Sequence, residues 1–373
     1  MGKTIAAVMR LFPSRELAAY GIQVCRRLAD QGFAVHILAA GDRADLDTMG
    51  AGDMHVHVFA PRAFHSQRYA RLSARMRGRH SASDEQAWLR AAPGYAPELA
   101  LYLQAHGRDF DWFLCFGYDQ AVLTESLDHI AGRTLLVPCA PADGRAKLPV
   151  FAGAFARCRA IAYTSMEEQS MIEQQHGAHP LSTVTGMGMD IAEGDAQAFR
   201  QTYGIQRPFI LCASRLDTKE LQRLARYVRA YNHTIGSELS LVLLNQAEPL
   251  PDTEDVISLS EIDEQMQLHA LAAADCLVDP RRYACLGGGI LRAWGSKRAV
   301  LVNGRCGMLK GRVIRGSGGL FYTTLREFIY CLHYLLRNKR ERRNMGSNGR
   351  LYTWKQHNWQ KITRDYLYLL GDN

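Results

Sequence analysis

Short apolar runs of strand length, each followed by a stretch long enough for a helix, recur along almost all of the 373 residues. Thr4–Met9 is the first run, and the segment Glu16–Gln31 behind it places Leu17, Tyr20, Val24 and Leu28 on one helical face. Phe33–Ala39, Val56–Phe59, Trp112–Phe116, Thr134–Val137 and Ala160–Tyr163 continue the series. A strand that is apolar along its whole length is covered on both faces, which is the condition of a parallel sheet built from successive βα units.

A second series starts at Phe209–Ala213, followed by a helix from about Lys219 to Tyr231. Leu239–Leu244, Val256–Leu259, a helix Asp263–Ala274 and a strand Cys276–Val278 come next. Thr183–Asp190, with two glycines and little helix-forming character, reads as the linker between the series. The length suits two domains, each able to bury its own core. The expected fold class is therefore α/β, with two Rossmann-like doubly wound domains and a ligand crevice at the carboxyl ends of the strands. No internal repeat or low-complexity tract interrupts this plan.

The composition is that of a globular protein, 47% hydrophobic and 22% charged. No apolar run is long enough to span a bilayer. The start, MGKTIAAVMRLF, reads as a first strand rather than a signal peptide, and it lacks the Ser or Thr that myristoylation requires at the sixth position. The nine cysteines show no C-x-x-C and no Cys/His spacing, so neither a disulfide framework nor a zinc site is expected and a reducing cytosol fits. A net charge of +8 asks for an anionic partner: a nucleotide diphosphate, an anionic lipid surface or nucleic acid.

The segment 279–302, DPRRYACLGGGILRAWGSKRAVLV, narrows that choice. A strand runs into a loop, and Gly287, Gly288 and Gly289 then open a helix that leads to the strand Ala299–Val302. Backbone N–H groups at such a start, with the helix dipole behind them, suit a phosphate or diphosphate. Glycines there let the ligand approach the main chain.

This segment resembles the donor signature of the retaining glycosyltransferases with two Rossmann-like domains, the GT-B fold. Their pattern is roughly E-x-F-G, three apolar residues, x-E-A. Gly287 takes the glycine position and Ala293 the alanine, while the two glutamate positions fall on Ala284 and Arg292. Other stretches follow in the order that the family requires. RPFILCASRL (207–216) resembles its strand and G-R-L segment, with Arg215 on the arginine that pairs with the donor diphosphate. Lys219 is the nearest match to the phosphate lysine, one residue closer than usual. Residues 263–280 resemble the helix and strand leading into the donor loop, 318–328 the strand and helix after it, and 358–370 the final helix that returns to the first domain. The resemblance implies an acceptor-side domain over 1–186, a nucleotide-sugar domain over 187–355 and a returning helix over 356–373, the domains facing a central cleft.

The first half departs further from the family. The turn after the first strand is FPSRELAAYG, with no glycine before Gly21. VPCAPADG puts Pro141, Ala142 and Asp143 where some relatives carry His-Asp-Glu.

In the family one glutamate binds the transferred sugar and the other accepts from the ribose hydroxyls. Ala284 can do neither, and Arg292, with five donors and no acceptor, would favour an anion instead. Each lost charge-assisted hydrogen bond costs on the order of 1.5–3 kcal/mol. The resemblance implies a retaining glycosyltransferase that needs no cofactor. The absence of carboxylate or histidine clusters at ligand spacing, or of a D-x-D in a credible loop, predicts that it is metal-independent. It would use a nucleotide sugar and a glycan or lipid-linked acceptor, in cell-surface polysaccharide synthesis. A catalytically inactive relative kept for partner binding and a different two-domain Rossmann protein are the competing readings.

RAFHSQRYARLSARMRGRH (62–80) carries six arginines and no acid. Arg68, Arg71, Arg75 and Arg79 recur at helical spacing, with Tyr69, Leu72 and Met76 on another face. The pattern reads either as a helix lying on the inner face of an anionic membrane, giving a cytoplasmic, peripheral protein, or as a solvated basic face over an ordinary core stripe. Aromatic residues are not interleaved for stacking, which argues against nucleic acid. His36, His55 and His57 read as core or edge residues, Met187 and Met189 as hinge packing, and Ser258–Ile262 by position as a base-recognition loop.

Overall fold

The computed structural model describes residues 3–11, 15–246, 250–251 and 253–371. The chain divides into two compact units, Met1–Met187 with Gln360–Asn373, and Gly188–Trp359. The first three residues of the FPSRELAAYG turn, Phe12 to Ser14, lie outside the described residues.

The first unit is built on a seven-stranded parallel sheet. Its strands are β1 (Thr4–Arg10), β2 (Ala34–Ala40), β3 (His55–Phe59), β4 (Trp112–Phe116), β5 (Thr134–Val137), β6 (Ala160–Tyr163) and β7 (Ser182–Val184), in the order β3-β2-β1-β4-β5-β6-β7. Strands β4, β5 and β6 are buried at every residue, as their apolar sequences require, and the one polar member, Thr134, donates its hydroxyl to the Ile130 carbonyl. Between β3 and β4 the chain forms three helices, Ser66–Arg75, Ala82–Arg90 and Pro97–His106, rather than one crossover. The boundary between the units, Met187/Gly188, falls within the expected linker Thr183–Asp190, but its first two residues belong to β7, where Thr183 and Val184 pair with Ala162 and Tyr163 at the sheet edge. Three half-buried residues at an edge leave little periodicity to read. The final helix, Trp359–Leu369, packs against the helix Arg15–Asp30 through the hydroxyls of Tyr366 and Tyr20, 3.2 Å apart, and Tyr20 also donates to the Gly186 carbonyl.

The second unit holds a six-stranded parallel sheet: β8 (Phe209–Cys212), β9 (Ser240–Leu244), β10 (Val256–Leu259), β11 (Cys276–Asp279), β12 (Val300–Asn303) and β13 (Gly319–Tyr322), in the order β10-β9-β8-β11-β12-β13. Both sheets thus reverse strand order once, beside their first strand. Local rules set the flanking helices. In Thr218–Ile235, Asp217 accepts from the Glu220 N–H at 2.7 Å, Leu221, Leu224, Val228 and Tyr231 line the buried face, and Gly236 closes the end in the left-handed region. Each large apolar side chain so buried contributes roughly 1.5–3 kcal/mol, against about 1 kcal/mol for the cap. Burial fixes where the helix lies, and the caps fix where it starts and stops.

Candidate functional site

In the second sheet β8 and β11 are neighbours, but the chain leaves β8 towards β9 and leaves β11 towards β12. Their following loops diverge and open a crevice at their carboxyl ends, where α/β sheets bind ligands. The loop after β8 carries Arg215 and leads to Lys219, both exposed. Among the described residues no hydrogen bond or ion pair engages either cation. The loop after β11 ends at Gly287, and the helix Gly288–Gly295 follows.

Gly287 is the N-cap, with φ 65°, in the left-handed region, and as a glycine it offers no capping side chain of its own. A Cβ on Gly287 would stand 2.8 Å from Nη1 of the buried Arg312, which donates to the carbonyls of Leu286 and Gly287. The loop end is therefore held from behind, leaving Gly288 buried and Gly289 half-buried. Trp294 anchors the far end. Its ring fills a slot in which a Cβ on Gly318 or Gly349 would approach to 2.3 Å, and its Nε1 donates to the Gly318 carbonyl at 2.9 Å. A Cβ on Gly289 would lie 4.0 Å from Ser214 Oγ, so the first turn of the glycine helix adjoins the loop of Arg215.

Sequence reasoning missed the ion pair beneath this junction. Asp279, fully buried at the end of β11, accepts from Ser214 Oγ at 2.9 Å and from Arg281 Nε and Nη2 at 2.9 and 2.7 Å. Burial pushes its carboxyl up, but the Arg281 charge and the hydrogen bonds outweigh it and hold the group below the ordinary carboxylate range. Gln246 steadies the other loop, donating to the Ser214 carbonyl at 3.0 Å and accepting from Leu216 N–H at 3.1 Å. Asn303 donates to the Pro280 carbonyl at 2.9 Å. A strand ending in Asp-Pro-Arg was the available signal, but Ser214 lies 65 residues away from Asp279.

At the rim, Asn245 takes a left-handed backbone, φ 48°, and exchanges two hydrogen bonds of 2.7 and 2.8 Å with the backbone of Ile262. This ties the end of β9 to Ile262 in the loop after β10; the first two residues of the expected Ser258–Ile262 loop, Ser258 and Leu259, belong to β10 itself. Ala284 is buried and Arg292 half-buried. The Arg292 guanidinium lies 3.4 Å from the exposed Glu264, so an intramolecular carboxylate already meets it.

The basic segment of the first unit differs from its expected form. Its helix covers only Ser66–Arg75, so Arg68, Arg71 and Arg75 share it and Arg79 lies beyond. The chain turns at Met76, where Arg77 N–H bonds back to Ala74 and Gly78 N–H to Arg75. Tyr69, Leu72 and Met76 pack on the core of the unit, with the Tyr69 ring stacked on Trp88 at 6.3 Å. The apolar stripe is thereby used internally, while the four arginines stay exposed. His36, His55 and His57 stack across β2 and β3, with His36 5.0 Å from His55 and 5.9 Å from His57. At the β1/β4 reversal, Arg10 pairs with Asp119 at 2.6 Å, and Arg145 binds Asp143 at 2.6 Å. Among the described residues no cluster of His, Cys, Asp and Glu could hold a metal ion, and no helix is long and apolar enough to cross a membrane.

No protein-family model matches the chain, and no curated protein matches it in sequence. Solved structures do match its fold. HepE of Anabaena, in complex with UDP and glucose, superposes with a TM-score of 0.74 at 13% identity over 100% of both chains. Sucrose-phosphate synthase of Thermosynechococcus elongatus gives 0.73 at 13% identity, over 99% of this chain and 98% of its own. WaaG, a glycosyltransferase involved in lipopolysaccharide biosynthesis, gives 0.64 at 12% identity, over 99% and 100%. The two parallel-sheet domains of this chain therefore have the GT-B fold of the glycosyltransferases.

Proposed function

We propose that the protein transfers a sugar from a nucleoside diphosphate donor to a glycan or lipid-linked acceptor in cell-surface polysaccharide synthesis, with retention and without a metal ion. One observation carries the reading: at the β8/β11 reversal, the loop after β8, which carries the exposed Arg215 and leads to the exposed Lys219 in the next helix, adjoins a helix that opens on three glycines, and among the described residues no hydrogen bond or ion pair engages either cation. Arg215, Lys219 and the N–H groups at Gly287–Gly289 would hold the diphosphate. Their charge and the helix dipole would offset the negative charge on the leaving group, the task a divalent ion performs elsewhere. That HepE and similar folds were solved with UDP or UDP-glucose supports a nucleotide-sugar donor. No cofactor enters this scheme beyond the donor itself.

The test is a thermal-shift screen across nucleotide sugars. A donor at a hundredfold excess over its dissociation constant stabilises the protein by about 2.7 kcal/mol, well above detection. No stabilisation by any donor would contradict the proposal.

A second reading, an inactive relative that serves as a binding partner, is favoured by Ala284 and by the closed Arg292–Glu264 pair. The variant Ala284→Glu/Arg292→Glu tests whether the two missing carboxylates are what limits donor binding. Two restored carboxylates should gain roughly tenfold or more in affinity for common nucleotide sugars, because each adds acceptors that the native side chains lack. Tight binding of an ordinary donor by the unmodified protein, insensitive to Arg292→Ala, would overturn this account of the pocket.

A further inference from the structure

The helix Leu325–Arg337 in the second unit has two unlike faces. Phe328, Leu332 and Leu335 are fully buried in the core of that unit. The opposite face carries Arg326, Tyr330, Tyr334 and Arg337, at helical spacings of four, four and three. Tyr330 is 73% exposed and Tyr334 36%. Lys339 and Arg340, both exposed, open the next helix directly beyond. Among the described residues no ion pair engages Arg326, Arg337, Lys339 or Arg340. Two carboxylates lie nearby. Glu327 is occupied by Thr323, whose N–H and hydroxyl it accepts at 2.6 Å, and Glu341 is exposed in the first turn of the next helix.

We propose that this face docks the protein on an anionic membrane surface. The charges are complementary: four exposed cations fall between residues 326 and 340, two on this face and two at the start of the next helix. The two tyrosines present apolar rings with polar tips, which suits the headgroup layer. From Arg326 to Arg337 the face runs about 16 Å along the axis, at 1.5 Å per residue. It is the convex outside of a helix, so it meets a plane; a glycan chain is held in a concave groove instead. This assignment differs from the basic segment at 62–80, whose aromatic and aliphatic residues are spent on the core of the first unit. It does not depend on the proposed transferase activity.

The experiment is co-sedimentation of the full chain with vesicles of phosphatidylcholine alone or with phosphatidylglycerol added. Binding is expected only when phosphatidylglycerol is present, and it should weaken with salt. Arg326→Gln/Arg337→Gln should lower the affinity roughly thirtyfold, from the attraction typical of two basic side chains at such a surface. Tyr330→Ser/Tyr334→Ser should weaken it as well. All four positions are exposed, so unchanged thermal unfolding will show that the variants are folded. Arg68→Gln/Arg71→Gln should bind like the unmodified protein. The proposal is overturned if the unmodified protein ignores the anionic vesicles, or if binding is lost with the 68/71 variant and kept by the other two. Retention of a soluble acidic polysaccharide through Tyr330 and Tyr334, without vesicle binding, would likewise overturn it in favour of a glycan.

Discussion

Asp279 shows how much a single residue can contribute while leaving almost no trace in the sequence. Its carboxylate is fully buried and doubly bonded to Arg281. Two opposite charges out of water gain little over an apolar pair, but removing one leaves the other uncompensated, at a cost of about 3–5 kcal/mol. Asp279→Asn should therefore destabilise the protein by that amount, measured as a shift in the denaturant midpoint. Asp279→Leu/Arg281→Met should recover most of the loss; a double variant as unstable as the single one would count against this view of the pair. Arg215, by contrast, was legible. It follows a run of apolar residues, and it needs no tertiary partner to be recognised as the cation at a strand end. Ser214, Gln246 and Asn303 were not, because their roles exist only once four strand ends, those of β8, β9, β11 and β12, have been brought together.

Glu168 ties together the ends of β5 and β6 and the helix Met166–His176. Its carboxylate accepts from the N–H groups of Ala140 and Thr164 and from the Thr164 hydroxyl. Burial nevertheless pushes its pKa up to about 7, outweighing those donors. The folded state then keeps a proton that the unfolded chain gives up near its ordinary value of 4.5. The stability this group contributes is complete below that value and is lost as pH rises through about 7. Between about pH 5 and pH 8 the protein should therefore lose stability relative to Glu168→Gln, by up to about 3 kcal/mol. Thermal unfolding of both proteins across that range checks it, and parallel pH profiles would contradict it. At this scale the strongest elements were the most readable. β4, β5 and β6 are apolar except for Thr134 because helices cover both faces, whereas β7 and the three helices between β3 and β4 have short or half-exposed faces. The helix Ser66–Arg75 illustrates the remaining ambiguity: a basic face over an apolar stripe looks the same whether the stripe meets lipid or a core.

Across the whole molecule, the order of strands carries the functional argument. Both sheets reverse beside their first strand, and in the second the reversal brings the Arg215 loop next to the glycine helix. The alternation of apolar runs and helical stretches made that topology accessible from the sequence, since parallel crossovers of one hand leave few alternatives. On the resemblance, Ala284 and Arg292 stand at the family's glutamate positions, and that placement needed the sequence alone. What only the structure adds is that Arg292 meets Glu264 and that Asp279 and Arg312 hold the loop between β11 and the glycine helix. On the proposed function, this junction binds the diphosphate of a donor. Titration calorimetry with UDP, on the unmodified protein and on Arg215→Ala, tests it most directly. UDP should bind the unmodified protein, and Arg215→Ala should weaken that binding at least tenfold, in keeping with about 1.5–3 kcal/mol for a charge-assisted hydrogen bond. Equal affinity for both proteins, or no binding of UDP or any other nucleoside diphosphate, would contradict it.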